Sequence, residues 1–144
     1  MAHIPAALRD QVLARARGLC EYCHTRQAIV VAVEIDHIIP ESAGGATILD
    51  NLCLTCVGCN RFKGDATAAV DLLTGREVML FHPTRERWSE HFIWSSTGLV
   101  LLGQTPSART TIQRLKINRE ALLTARSLWR RAGWHPPKDD PIQS

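Results

Sequence analysis

Cysteines stand at positions 20, 23, 56 and 59, in the pairs CEYC and CVGC. Each pair has the Cys-x-x-Cys spacing that sets two thiolates on one side of a tight bend. Two such bends complete a tetrahedron around one Zn²⁺, with Zn–S distances of about 2.3 Å. This pattern constrains the chain path strongly, because residues 56–59 must return to residues 20–23 and close segment 24–55 as a loop. Four thiolates leave no open coordination position, so a structural zinc on Cys20, Cys23, Cys56 and Cys59 is expected. A single pair would equally suit a redox dithiol or two buried thiols. Two pairs in 144 residues favour the metal. Cys53 lies outside both pairs and reads as a buried thiol. Five cysteines, an odd count, argue against a disulfide framework. The opening MAHIPAALRDQ lacks a basic-then-apolar secretory pattern. The longest apolar runs, about six residues, are too short to span a membrane. A cytoplasmic location with no membrane partner is expected.

The rest of the chain reads as mixed α+β. PAALRDQVLARAR (5–17) has Pro5 at a first helical position, Gly18 as a stop, and Leu8, Val12 and Ala16 on one face. AIVVAVEID (28–36) is rich in β-branched residues and reads as a strand. PESAGGAT is a loop, LDNLCLTC a short strand or turn, and NRFKGDATAAVDLL a helix broken at Gly64. TGREVMLF is a turn followed by a strand. HFIWSSTGLVLLGQT places two apolar runs around Ser96-Thr97-Gly98, as a hairpin does. The stretch from Thr105 to Pro137 reads as two helices parted near Ile117-Asn118.

Inside the cysteine clamp, the strand ends on Asp36-His37. An acid and a histidine side by side are costly to bury and poor turn material. A lone pair of this kind is more often a surface feature, a lone Asn such as Asn51 is more often turn chemistry, and a lone Lys63 is usually solvated. Here they share a frame that the cysteines fix. Hydrolysing a phosphodiester needs a base for water, neutralisation of phosphate charge and stabilisation of a leaving oxyanion. Histidine, with an unperturbed pKa of about 6.5, suits the first. A divalent ion on oxygen ligands supplies the others.

EIDHIIP, GG, LDNL and CVGCNRFKGD together resemble the HNH endonuclease motif in its zinc-knuckle form, closely over residues 20–65. LFHPTRERWSEHFIW, GQTP and LWRRAGWHPP are similar to small free-standing HNH proteins, without assigned chemistry. The resemblance implies a ββα-metal finger stabilised by the four-cysteine zinc. An N-terminal helix precedes it, and a β-hairpin and two helices follow. A length of 144 residues suits one domain, so one nuclease domain is expected over residues 1–137, with core motif 20–65, accessory hairpin and basic helices 76–137, and a loose tail at 138–144. His37 would be the general base and Asp36 a ligand of the catalytic ion. Asn51 would hold the His37 segment in register. Asn60 stands where many members carry a final histidine, and would be the second ligand through its carbonyl oxygen. An Asp/Asn oxygen pair is hard and suits Mg²⁺ or Mn²⁺. Lys63, one turn after Asn60, could meet a phosphate. His82 and His91 could reach the site, although packing or surface roles are commoner for such residues.

The net charge is +3, but Arg109, Arg114, Lys116, Arg119, Arg126, Arg130 and Arg131 face only Glu120 in their stretch. At 100° per residue, Arg119, Arg126 and Arg130 share one stripe of the last helix, opposite Ala121, Leu122, Ala125, Leu128 and Trp129. The expected function is metal-dependent hydrolysis of DNA, with those arginines on the nucleic acid. A solvated helix face explains the same stripe. Alternatives are a non-catalytic zinc module that binds nucleic acid, an enzyme using Cys53 as nucleophile, or an RNase on the same site. Monomer and dimer remain open, because one such site cuts one strand at a time.

Overall fold

The computed structural model describes residues 3–26 and 33–137. The first part of the expected strand, 28–32, and the expected loose tail, 138–144, lie outside the described residues. The chain forms two compact units. One runs to Thr67 and takes in His82–Glu86; the other comprises Ala68–Phe81 and the chain from Arg87 onward.

In the first unit, α1 (Ala6–Ala16) begins after Pro5, which caps the helix rather than opening its first turn. It stops where Arg17 and Gly18 both take positive φ. Strand β1 (Val33–His37) pairs antiparallel with β2 (Leu52–Cys56), in the register Val33 opposite Cys56 through His37 opposite Leu52. Helix α2 (Val57–Lys63) follows directly, so strand, strand and helix form a ββα unit. The expected α+β class is met.

The period-2 alternation of a strand gives this hairpin two faces. Leu52, Leu54 and Ile35 point one way, against Val12, Ala16, Ile4 and Leu8 of the N-terminal segment. Leu52 and Leu54 are at most 1% exposed, and each such burial contributes about 1.5–3 kcal/mol. Glu34, Asp36, Cys53 and Thr55 occupy the other face, where α2 lies.

The helix expected over 60–73 does break at Gly64, but its continuation beyond that residue is corrected. Helix α2 ends at Gly64, whose φ of 54° and ψ of −133° are essentially restricted to glycine. Ala68–Val70 is then strand β3, paired antiparallel with β4 (Glu77–Met79). Asp71 turns the chain between them, accepting from Leu73 N and Thr74 Oγ1 and pairing with Arg109 at 2.9 Å. The alanines that suggested a helix are held in a hairpin by this turn.

The second unit continues with α3 (Trp88–His91) and the expected hairpin, β5 (Phe92–Trp94) with β6 (Leu101–Gly103). Helices α4 (Pro106–Arg114) and α5 (Glu120–Arg131) follow, parted where expected. Thr105 caps α4 by accepting from Ala108 N, with Pro106 in the first turn. Gly103 allows β6 to approach α4: a Cβ there would lie 2.7 Å from Arg109 N.

Helix α5 corrects the arginine stripe. Leu122 and Arg126 are its buried residues, whereas Leu128 of the expected apolar face is 59% exposed. Arg126 is fully buried and donates to Leu99 O, Ile117 O and Asn118 Oδ1 at 2.8–3.1 Å, with its guanidinium 5.1 Å from the Trp94 ring. These acceptors belong to the hairpin and the interhelix turn, and a forked donor satisfies them together. Arg126 is thus removed from the expected nucleic-acid face. Arg130 is exposed, and Arg119 is a half-buried cap of α5 that donates to Lys116 O.

Candidate active site and metal centre

The first knuckle is a tight turn, with Cys20 N donating to Thr25 O and His24 N to Cys20 O. His24 adopts φ of 57° to make that bend. Glu21 fastens the turn to β2: its carboxylate accepts from Leu54 N and pairs with Arg15 at 2.8 Å. The second knuckle joins β2 to α2, with Cys56 as the helix cap and Cys59 N donating to Cys56 Sγ.

All four cysteines are buried, and their sulfurs lie within 4.8 Å of one another, with Cys23 and Cys56 3.8 Å apart. A tetrahedral ion with 2.3 Å bonds spaces its sulfurs by about 3.8 Å, so the cluster fits one zinc-sized ion. Hydrogen bonds from Cys20, then Cys23 and Cys59, hold the Cys56 thiol well below its ordinary range. Cys53 is buried on β2 outside this cluster, and burial raises its thiol.

The loop between the strands is fixed by Asn51, which is 4% exposed. Its Oδ1 accepts from Ile39 N, and its Nδ2 donates to Ile39 O and Ala46 O, each at 2.9 Å. The main chain adds Ile38 N donating to Asn51 O. These bonds clamp the segment just after His37. The clamp leaves no room at Gly45, where a Cβ would fall 1.7 Å from Ile39 O.

Among the described residues, strand β1 pairs on one edge only, with β2. A cleft of about 440 Å³ runs along its other edge, with Arg9, Glu34, Asp36, His37, Glu41 and Asn60 in its lining. Neighbours in a strand point to opposite faces. Asp36 and His37 still share this space, because the cleft includes both the α1 side and the α2 side of the edge strand. His37 Nε2 lies 2.9 Å from Thr47 Oγ1. Asn60 Nδ2 donates to Glu34 Oε2.

Lys63 is 1% exposed, its Nζ 3.1 Å from Asp36 Oδ2 and within reach of His37 O. The structure therefore places Lys63 behind the acidic face rather than at the surface, where a phosphate contact was expected. Burial pushes the Asp36 carboxyl above its usual range, and the Lys63 ammonium opposes that shift.

Asp36, His37 and Asn60 thus meet at one cleft, with Asn51 in the loop wall and Lys63 behind Asp36. His82 Nδ1 contacts Thr84 Oγ1, and burial lowers its pKa; it is absent from the cleft lining. His91 contacts Thr105 within the second unit. Sequence reasoning missed Glu34 and Thr47. Strand alternation from Asp36 could have flagged Glu34, whereas no local signal marks Thr47.

None of the curated proteins matches the chain. Residues 20–66, which hold both knuckles and the ββα unit, match the HNH endonuclease family model, bearing out the resemblance read from the sequence and carrying nuclease-type activity on nucleic acids as its general implication.

Proposed function

We propose that the protein is a metal-dependent endonuclease that hydrolyses phosphodiester bonds in DNA. The observation that carries this reading is the single cleft in which His37 meets the oxygen-bearing side chains of Asp36 and Asn60. Zinc on the four cysteines is structural and fixes both ends of the segment bearing that cleft.

The chemistry follows from the side chains. His37 Nε2 lies within hydrogen-bond reach of the Thr47 hydroxyl; in the tautomer this chemistry requires, Nε2–H donates to that hydroxyl and the Nδ1 lone pair takes a proton from water. Asn51 holds the chain beyond His37, so the imidazole keeps its place. Lys63 holds the Asp36 carboxylate towards the cleft from behind. A divalent ion on Asp36 and Asn60 would neutralise phosphate charge and stabilise the leaving oxygen, and hard oxygen ligands favour Mg²⁺ or Mn²⁺. Arg119 and Arg130 are the proposed phosphate contacts remaining on α5.

One such centre cuts one strand, so a double-strand break takes two events or two copies. Five cysteines, none of them in a disulfide, suit a reducing compartment, and we place the protein in the cytoplasm. No helix among the described residues is long and apolar enough to cross a membrane.

The test is supercoiled plasmid incubated with zinc-loaded protein and Mg²⁺, Mn²⁺ or a chelator of those ions. Nicking is expected with either ion and not with the chelator. His37→Ala should retain zinc and fold while losing about 10²–10⁴ in rate. A mutant that nicks at the parent rate removes His37 as base. Cleavage of a structured RNA but not the plasmid would move the substrate to RNA.

A further inference from the structure

We propose that Glu34 is a positioning residue of the cation site, holding the Asn60 amide so that its carbonyl oxygen is the coordinating end. This rests on the reading of Asn60 as a ligand in the nuclease centre. An asparagine amide has two ends of nearly equal size. Only the oxygen has a lone pair to offer a hard cation, while the NH₂ presents two partial positive charges. Half a turn about the terminal bond exchanges them, so an amide ligand needs a second group to decide which end faces the ion.

Glu34 is placed to decide it. It stands two residues before Asp36, so strand alternation sets both carboxylates on the face of β1 next to α2. Asn60 lies on α2, and Asn60 Nδ2 donates to Glu34 Oε2. An ionised carboxylate only accepts hydrogen bonds, so it selects the NH₂ end of the amide and leaves the carbonyl oxygen for another partner. Both residues line the cleft that also holds Asp36 and His37. Glu34 is exposed, so core packing does not account for its contact with Asn60. Groups of this kind orient metal ligands, and their loss typically weakens metal affinity by about 10–100-fold.

The test is Mn²⁺ binding to the zinc-loaded full chain, read by loss of the free Mn²⁺ paramagnetic resonance signal. Zinc content and thermal melting are followed alongside. Glu34→Ala should weaken Mn²⁺ binding by about 10–100-fold while zinc and melting stay at parent values. Glu34→Gln, which keeps an acceptor oxygen, should recover part of that loss, and also serves if the alanine variant folds poorly. Asn60→Asp has no NH₂ end to orient. In that background Glu34→Ala should leave Mn²⁺ binding unchanged or tighter. Equal weakening in both backgrounds would make Glu34 a direct ligand and overturn the positioning role. Parent-like Mn²⁺ binding by Glu34→Ala, with clear loss in Asn60→Ala, would overturn it while sparing the ligand role of Asn60. Parent-like binding by Asn60→Ala would remove Asn60 as ligand and the proposal with it.

Discussion

The two units solve the same physical problem, burial of polar chemistry, in different ways. The first gathers four thiols at one point, in turns held by main-chain N–H donors, so a cation can hold the strands and helix together. The second has no cluster of metal-ligating side chains among the described residues. Its polar centre is the fully buried Arg126, whose guanidinium joins Leu99, Ile117 and Asn118 beside Trp94. A chelate cluster depends on an external ion and announces itself by spacing. A buried arginine depends on nothing outside the chain and leaves no periodic mark.

The sharpest break of this comparison is Cys56→Ser. Structural zinc in a four-thiolate site carries an apparent binding free energy of about 10 kcal/mol or more, comparable to the whole stability of a domain. Losing one thiolate should therefore unfold the first unit. The tryptophans, Trp88, Trp94, Trp129 and Trp134, all belong to the second unit, so their emission reports that unit separately. Cys56→Ser is expected to abolish stoichiometric zinc while tryptophan emission stays native. Cys53→Ser should retain zinc. Simultaneous loss of zinc and native emission in Cys56→Ser would erase the distinction between the units.

Next in size is Arg126→Leu. It leaves Leu99 O and Ile117 O without the donors they now have, and a buried unsatisfied acceptor costs about 1–3 kcal/mol. A loss of about 2–6 kcal/mol in tryptophan-monitored unfolding is expected, with zinc content unchanged. Substitution at a solvated position falls within about 0.5 kcal/mol. A change that small would return Arg126 to the exposed stripe read from the sequence.

The same contrast explains what the sequence disclosed. The cysteine pairs fixed the topology of residues 20–63, because thiolate chemistry permits few spacings. The β-branched run ending on Asp36-His37 gave a strand, and the face of Leu8, Val12 and Ala16 gave α1 its packing side. The break at Gly64 was legible, but the stretch from Ala66 to Leu73 misled, since helix propensity cannot register Asp71 at a turn held by Arg109. The stripe on α5 misled for a related reason: periodicity sorts residues by average polarity and is blind to carbonyls elsewhere that need a donor. Lys63 was read as a surface phosphate contact because its partner, Asp36, is 27 positions earlier in the chain. Glu34 was legible through strand alternation from Asp36, whereas Thr47 was legible only through the path of the loop.

The smallest effect separates the units by their response to acid. His135 is 6% exposed, donates Nε2–H to Gly98 O at 2.8 Å, and stands edge-on to Trp94 with centroids 4.5 Å apart. Burial lowers its pKa to about 4, and the nearby charge of Arg126 acts in the same direction. In the unfolded chain the value returns to about 6.5. Between those values the unfolded state binds more protons, so stability of the second unit rises with pH across the window and falls as pH drops from about 6.5 to about 4. Above that window this contribution is constant. Asp71, held low chiefly by Arg109, loses its contribution only at more acid pH, so the two titrations separate. Denaturant midpoints read by tryptophan emission from pH 4.5 to 7.5 should climb and then level. His135→Gln keeps an amide donor for Gly98 O but cannot be protonated in this range, and should flatten the climb. Acid would also release zinc from the cysteine cluster by protonating its thiolates, but the metal content reports that apart from the tryptophans. A climb that persists unchanged in His135→Gln would show that another group, not this buried imidazole, makes the second unit sensitive to acid.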